Sequence, residues 1–244
     1  MRFKQIVEDA QHHEVEHLRT WGATLVVAPH PDDESLGCGG AIALLRQQGQ
    51  AVSVLFVSDG SESHPHSKRY PPEARRDLRE QEARDALKIL GVGSEEITFL
   101  HLPDTQVPTA TTTGFEEAIT LIRTQLERIR PDTVLVPWRR DPHGDHRATW
   151  QLLQAAVQQS GLAIRWLEYP IWVWESTEPD DLPTPADGTW FRIEVSEVLP
   201  LKRRAIAAHV SQTTLLIDDD PEGFTLAPEM IGHFTQPYEY FLAP

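Results

Sequence analysis

The chain is poor in the features that mark several protein classes. Cys38 is its one cysteine among 244 residues, so no disulfide can form within the chain. Apolar and glycine neighbours offer this thiol no partner base, and we interpret it as a packing residue. No apolar run approaches the roughly 20 residues that a membrane-spanning helix requires, and residues 1–5 (MRFKQ) do not begin a secretory signal peptide. We expect a cytoplasmic protein without membrane insertion.

Basic residues are also scarce. The chain has 22 Lys and Arg against 37 Asp and Glu, which gives a formal net charge of −15. Nucleic acids and anionic membranes are bound through basic patches, so this balance disfavours both as main partners. The composition leaves the oligomeric state open, and a homo-oligomer is compatible with it.

Short apolar runs alternate with amphipathic segments from residue 24 onward. The runs predict buried strands, and the segments between them predict helices. Strands separated by helices of this length imply right-handed crossovers and a doubly wound α/β fold, with a mainly parallel sheet and helices on both faces. The predicted strands cover residues 24–28, 52–57, 97–102 and 133–138, and the predicted helices cover residues 39–48, 73–90, 115–129 and 147–159.

The two ends of the chain show weaker patterns. Residues 1–22 have apolar positions at loose helical spacing, which predicts a helical extension. Residues 160–244 contain strand-like segments at 164–174 and 191–195, a helix at 201–210 and an acidic, proline-containing loop at 178–188. Since no linker composition separates these parts, we predict one domain over residues 1–244, whose C-terminal part shapes the substrate site.

Two polar segments follow predicted strands, namely PHPDDE at residues 29–34 and DPHGDH at residues 141–146. Ligands of open α/β sheets bind at the carboxyl ends of the strands. His30 and Asp33 share one strand-to-helix turn, and His146 from the second segment is a candidate third ligand. Two imidazoles and a carboxylate suit Zn²⁺, with Fe²⁺, Co²⁺ or Mn²⁺ as substitutes, and three protein ligands leave room for a water.

Neighbouring polar residues fit the chemistry that such a metal supports. Asp32 is placed to take a proton from the metal-bound water, and His143 to face the developing oxyanion. This predicts metal-assisted attack of water on an amide or ester carbonyl. Asp and Pro are also common turn formers, and Asp145 or Glu34 could cap a helix. Turn formation and helix capping could explain one of the two polar segments, but they explain the presence of both segments less well than a metal site does.

At these residues the sequence resembles the PIG-L/LmbE family of zinc-dependent N-acetylglucosaminyl deacetylases. APHPDDE at residues 28–34 is close to the family's AHPDDE, and HGDH at residues 143–146 matches its HxDH. The resemblance implies that His30, Asp33 and His146 bind zinc, that Asp32 is the base and that His143 polarises the carbonyl. The implied substrate is a small N-acetylated sugar.

Weaker similarities extend through most of the chain and add candidate substrate-binding residues. The family has an arginine-containing helix, an LxD segment after a strand and an H.SQ element. These elements match this chain around Arg79, Asp104 and His209, respectively. By resemblance, Arg79 and Asp104 contact sugar hydroxyls and His209 approaches the site. The alternatives are a solvated helix residue for Arg79, a turn cap for Asp104 and a structural hydrogen bond for His209. Pro29 is an additional proline before the motif, and the acidic loop at 178–188 falls outside the match, as does much of the aromatic stretch at 166–174.

Other functions are compatible with parts of the sequence. The same metal site could hydrolyse a non-sugar amide or ester. A nucleotide-binding protein using Gly37, Gly39 and Gly40 is a second alternative, although the G-x-G-x-x-G spacing is lacking. A third is a sugar-binding module without activity, which the complete set of ligands and base disfavours. The aromatic residues Tyr169, Trp172 and Trp174 suit either stacking on a sugar or core packing.

Overall fold

Eight strands pair into one sheet in a computed structural model that describes residues 3–244. Their order across the sheet is β1-β7-β8-β6-β5-β2-β3-β4. All neighbours run parallel except β8, which is antiparallel to β6 and β7. The strands are β1 (Gln11–His13), β2 (Thr24–Ala28), β3 (Val52–Ser58), β4 (Ile97–Leu102), β5 (Thr133–Pro137), β6 (Arg165–Tyr169), β7 (Thr189–Glu194) and β8 (Tyr238–Ala243).

Helices cover both faces of this sheet. They are α1 (Phe3–Val7), α2 (Asp33–Gln47), α3 (Pro72–Ile89), α4 (Phe115–Ile129), α5 (Gly144–Ser160), α6 (Leu199–Ala208), α7 (Val210–Thr213) and α8 (Pro228–Phe234). Short 3₁₀ helices span Val15–Trp21, Ser94–Glu96, Trp172–Trp174 and Pro185–Asp187.

Alternate residues of β2 face two separate hydrophobic cores. Val26 packs with α2, α3 and α6 on one side, whereas Val27 packs with α4 and α5 on the other. Side chains alternate between the faces of a strand, so a strand buried on both sides has a continuous apolar sequence. The predicted doubly wound α/β fold is confirmed.

The predicted helix over residues 1–22 is wrong, and residues 1 and 2 lie outside the described part. The chain forms α1, then the edge strand β1, then the 3₁₀ helix Val15–Trp21. Phe3 explains part of the difference, because its ring packs edge-on against Trp174 at 4.6 Å and Trp190 at 5.1 Å. Pairing of β1 with β7 fixes the next segment. These distant partners override a loose helical pattern.

Other boundaries shift where polar motifs or distant strands decide them. Helix α2 begins at Asp33 rather than at residue 39, so Asp33 and Glu34 of the first motif belong to its opening turn. The strand predicted at 164–174 ends at Tyr169, and the helix predicted at 201–210 is α6. Helix α8 and strand β8 are absent from the sequence-based assignment.

The three glycines considered for a nucleotide-binding loop lie inside α2. A β-carbon at Gly37 would come 2.3 Å from the Tyr169 ring, and one at Gly40 would come 2.5 Å from Val195. These glycines therefore permit close packing of α2 and do not face a phosphate. Cys38 lies between them, fully buried in the core, as its packing interpretation requires.

Candidate metal centre and active site

The two polar segments meet because β2 and β5 are neighbouring parallel strands. The first segment follows the end of β2 and the second follows the end of β5. Strand order reverses here, with β3 on one side of β2 and β5 on the other, which is the usual ligand position of an open α/β sheet. The sequence-based placement of the site is thus supported by the topology.

The Asp33 carboxylate lies between two imidazole rings. Its Oδ2 atom is 3.3 Å from Nδ1 of His30 and 3.3 Å from Nε2 of His146. Two ligands bound tetrahedrally to zinc at about 2.0–2.1 Å lie about 3.3 Å from each other. Both ring nitrogens of His146 are buried and lack a hydrogen bond of good geometry. This donor set fits a divalent metal.

The opposite ring nitrogens face other carboxylates. Nε2 of His30 is 3.2 Å from Oδ2 of Asp145 and 3.2 Å from Oδ1 of Asp104. Nδ1 of His146 is 3.2 Å from Oδ1 of Asp141. Imidazoles that bind metals are usually oriented by a carboxylate on the second nitrogen. These contacts leave Nδ1 of His30 and Nε2 of His146 as the atoms directed at Asp33.

Two overlapping groups of side chains could hold a cation, namely His30 with His143 and His146, and His30 with Asp104 and Asp145. Asp145 accepts hydrogen bonds from the backbone N–H groups of Thr105 at 2.8 Å and Val107 at 3.2 Å. Asp104 accepts one from the N–H of Glu62 at 2.8 Å. Since backbone donors already satisfy these carboxylates, we interpret them as partners that orient His30.

Carboxylates dominate the electrostatics of the cluster. Burial alone would lower the pKa of His146, but the charges of Asp33 and Asp141 outweigh it and raise that pKa to about 9. Burial opposes the rise at His30 too, yet hydrogen bonds to Asp104, Asp145 and Asp33 hold the pKa of His30 well above its usual value. The position where the two rings meet Asp33 therefore favours positive charge strongly.

Asp32 lies beside this cluster in a strained backbone conformation. Its φ is 135°, which residues with a side chain rarely adopt. The backbone N–H of Asp32 donates to Oε2 of Glu34 at 3.0 Å, and its carboxylate is 3.2 Å from Nη2 of Arg79. Burial raises the pKa of Asp32 to about 7, although the Arg79 charge opposes the rise. Asp32 is thus held as a buried carboxyl group that lines the cavity described below.

Arg79 is engaged by protein groups on three sides. Besides Asp32, its guanidinium donates to the carbonyl oxygens of Gly60 at 3.0 Å and Pro31 at 2.7 Å. It is 4% exposed, yet it lines the cavity. These bonds tie the first motif to the loop after β3. The predicted contact with a sugar hydroxyl stays a prediction for both Arg79 and Asp104, which also lines the cavity.

His143 caps the start of α5 and faces the same position. Its Nδ1 accepts from the backbone N–H of Asp145 at 3.2 Å, which leaves Nε2 as the N–H of a neutral ring. Burial, followed by the charges of His146 and His30, lowers the pKa of His143 to about 4. Its ring centroid is 4.8 Å from that of His30. A neutral donor is therefore available beside the candidate metal ligands.

His209 lies behind the first motif and does not line the cavity. The residue is 1% exposed, and its Nε2 is 3.0 Å from Oε1 of Glu34 and 3.3 Å from Oγ of Ser35. His209 is therefore connected to the site through its contact with Glu34. In this structure its ring contacts protein groups, and the predicted contact with substrate stays a prediction.

Two carboxylates organise the site although the sequence analysis assigns them no role in it. Asp141 is fully buried and accepts from the backbone N–H groups of His143 at 3.0 Å and Trp172 at 2.8 Å. The sequence indicates only a helix cap for Asp145, yet this residue joins His30 to the loop after β4. Their position within the DPHGDH segment is the signal that could have identified them.

A cavity of about 700 Å³ opens above these residues. Of the three aromatic residues considered for stacking, only Trp172 lines it. Tyr169 is fully buried and donates its hydroxyl to the carbonyl of Val27 at 2.8 Å. Trp174 packs against Phe3. The lining comprises His30, Asp32, Asp33, Leu36, Glu62, Ser63, Arg79, Asp104, Thr105, Pro142, His143, Ile171, Trp172, Glu175, Ser176, Thr177, Glu178, Asp181, Phe224 and Leu226.

Comparison with known proteins identifies related deacetylases. The family model of PIG-L, described as GlcNAc-PI de-N-acetylase, matches residues 25–157. Diacetylchitobiose deacetylase of Thermococcus kodakarensis is 31% identical over 207 residues, covering 77% of this chain and 69% of that protein. A probable N-acetyl-alpha-D-glucosaminyl L-malate deacetylase of Bacillus cereus is 25% identical over 203 residues, covering 80% of this chain and 86% of that protein.

Solved structures show the same fold. N,N'-diacetylchitobiose deacetylase from Pyrococcus horikoshii, complexed with its inhibitor MPG, superposes with a TM-score of 0.65 at 21% identity. The superposition covers 99% of this chain and 86% of that one. Within residues 3–244, no helix has the length and apolar character needed to cross a membrane.

Fold and site together define a doubly wound α/β protein with a cluster of side chains that could hold a metal ion at the carboxyl edge of its sheet. The family match spans more than half of the chain and includes both polar segments. The chain belongs to the PIG-L family of deacetylases.

Proposed function

We propose that this protein is a zinc-dependent hydrolase that removes the N-acetyl group from an N-acetylglucosamine-type sugar. The central observation is the Asp33 carboxylate oxygen, 3.3 Å from one nitrogen each of His30 and His146, at the floor of a cavity. The relatives described above carry sugar deacetylase names, which favours a sugar over the non-sugar amide or ester.

The residues present divide the work of hydrolysis among them. His30, Asp33 and His146 would hold the metal, which when bound would polarise the acetyl carbonyl and lower the pKa of a water. Asp32 takes a proton from the attacking water while the water oxygen bonds to the carbonyl carbon. The Nε2–H of His143 donates to the oxyanion that forms. Asp32 then returns the proton to the sugar nitrogen as the carbon–nitrogen bond breaks, releasing acetate and a free amine.

Release of acetate by the purified protein tests this proposal directly. A panel of N-acetylated sugars, with acetylated amines and esters that lack a sugar, should show turnover of the sugars first. Preferred turnover of the non-sugar compounds would replace the sugar assignment while retaining the metal chemistry.

Metal binding should release protons, because the pKa of His146 is about 9 and this ring must be neutral to bind a metal. Near pH 7 the metal-free ring is therefore protonated, and binding weakens as the pH falls below about 9. Calorimetric titration of zinc into metal-free protein in two buffers of different ionisation enthalpy measures the proton count. Identical heats in both buffers would contradict the ligand assignment.

His209 is proposed to position the catalytic turn. It contacts Glu34, and Glu34 accepts the N–H of the strained residue Asp32. Strain of this kind persists only where surrounding contacts enforce it. Loss of His209 should therefore misplace the base without removing a metal ligand.

Replacing His209 with alanine should lower kcat by roughly 10-fold to 100-fold, since small misplacements of a reacting group cost about that much. The KM and the bound metal should change little. His209→Gln, whose amide can still donate to Glu34, should restore part of the rate. A large rise in KM with normal kcat would instead indicate direct substrate contact.

A further inference from the structure

The mouth of the cavity carries acidic side chains without basic ones to match. Glu62, Glu175, Glu178 and Asp181 all line it, and the first three are exposed. Among the described lining residues there is no lysine, and the one arginine is Arg79. Its guanidinium is already engaged deep in the cavity.

Contacts of these acids with neighbouring residues only partly offset their charge. Glu175 is 2.6 Å from Nε2 of His233, and Asp181 accepts from Oγ of Ser176 at 2.6 Å. Glu62 and Glu178 form no ion pair within residues 3–244. A substrate group that extends past the metal ligands therefore enters a negative field, which repels anions and attracts cations.

An aromatic pair forms another wall of the same mouth. The rings of Trp172 and Phe224 meet edge to face with centroids 5.7 Å apart, and Phe224 is 37% exposed. The backbone N–H of Trp172 donates to Asp141, and that of Phe224 donates to the carbonyl of Ser63 at 2.6 Å. Because Asp141 also contacts His146, the aromatic wall is fixed relative to the metal ligands. Such rings suit stacking on the apolar face of a sugar.

We propose, building on the function proposed above, that the mouth binds a second sugar that is uncharged or carries an amino group. That sugar stacks on Trp172 and Phe224, while the carboxylates of the mouth disfavour a neighbour bearing phosphate or carboxylate. The preferred substrate is thus an N-acetylglucosamine unit linked to a neutral or aminated sugar.

Three matched disaccharides test this selectivity through kcat/KM. Each has N-acetylglucosamine at the non-reducing end, β-1,4-linked to N-acetylglucosamine, glucosamine or glucuronic acid. At low ionic strength we expect the neutral and aminated compounds to exceed the anionic one by on the order of tenfold. Added salt should narrow the difference in kcat/KM, because three of the four carboxylates of the mouth are exposed to solvent.

Variants assign the selectivity to named side chains. Glu62→Gln with Glu178→Gln should raise the anionic-to-neutral ratio of kcat/KM several-fold, whereas the exposed residue Glu197, changed to Gln, should leave the ratio as it was. Trp172→Ala should lower the ratio of disaccharide to N-acetylglucosamine turnover by roughly threefold to tenfold.

The outcomes separate this inference from the function on which it rests. If no N-acetylated sugar releases acetate, the deacetylase assignment itself is overturned. If the sugars are hydrolysed but the anionic disaccharide matches the neutral one at low salt, only the selectivity is overturned. An unchanged ratio in the Glu62 and Glu178 double variant would likewise overturn the role of the carboxylates.

Discussion

Replacement of Asp32 by asparagine should lower kcat by about 10²-fold to 10⁴-fold, the usual contribution of a general base. The amide has the size of the carboxyl group but cannot accept the proton of the attacking water. Asparagine also keeps the shape of aspartate, so the contacts that hold the backbone at a φ of 135° should be retained. Acetate release under saturating substrate measures the effect.

Bound metal should be unchanged in this variant, because Asp32 is not among the proposed ligands. The same substitution at Asp77, an exposed residue of α3 with 68% of its side chain accessible, is the matched control and should keep full activity. Near-normal turnover by Asp32→Asn would remove this residue as the base and leave the metal proposal standing.

Loss of His146 should have an effect of similar size through metal binding. The ring is fully buried and is flanked by Asp33 on one side and Asp141 on the other. His146→Ala removes a proposed ligand and should weaken zinc binding by more than about 10²-fold, the upper range for losing a partner that only supports a ligand. Activity should fall with the metal content measured by atomic absorption.

Chelation separates this effect from misfolding. Wild-type protein stripped of metal should lose activity and recover it on zinc addition, whereas His146→Ala should recover little under the same conditions. Circular dichroism and thermal unfolding show whether the variant is folded. His12→Ala, which changes an exposed histidine of the edge strand β1, is the matched control. Full metal content in a folded His146→Ala protein would exclude this residue as a ligand.

The central sheet could be predicted because its strands are buried on both faces. The continuous apolar runs of β2 and β5 carry this signal without help from the rest of the chain. The N-terminal segment lacks such a signal, since β1 has only three residues and exists through its pairing with β7. Strand β8 likewise depends on two distant partners.

The site likewise has residues that could be predicted from the sequence and residues that could not. His30, Asp33 and His146 could be grouped from the sequence, because each follows the carboxyl end of a strand and parallel strands bring such ends together. The supporting groups could not be grouped. The contact between Glu34 and His209 joins residues 175 positions apart, and only the packing of α6 and α7 against α2 and α3 brings them together.

The position of β8 has a consequence for how the molecule assembles. This strand comes after all others in the chain but lies between β6 and β7, and it alone links the β1–β7 pair to the other five strands. During synthesis those five strands can pair before β8 emerges, while β7 has only β1 as a neighbour. Closure of the sheet is delayed until residues 238–243 insert. Interruption before that point leaves the edges of β6 and β7 unpaired and open to association with other chains.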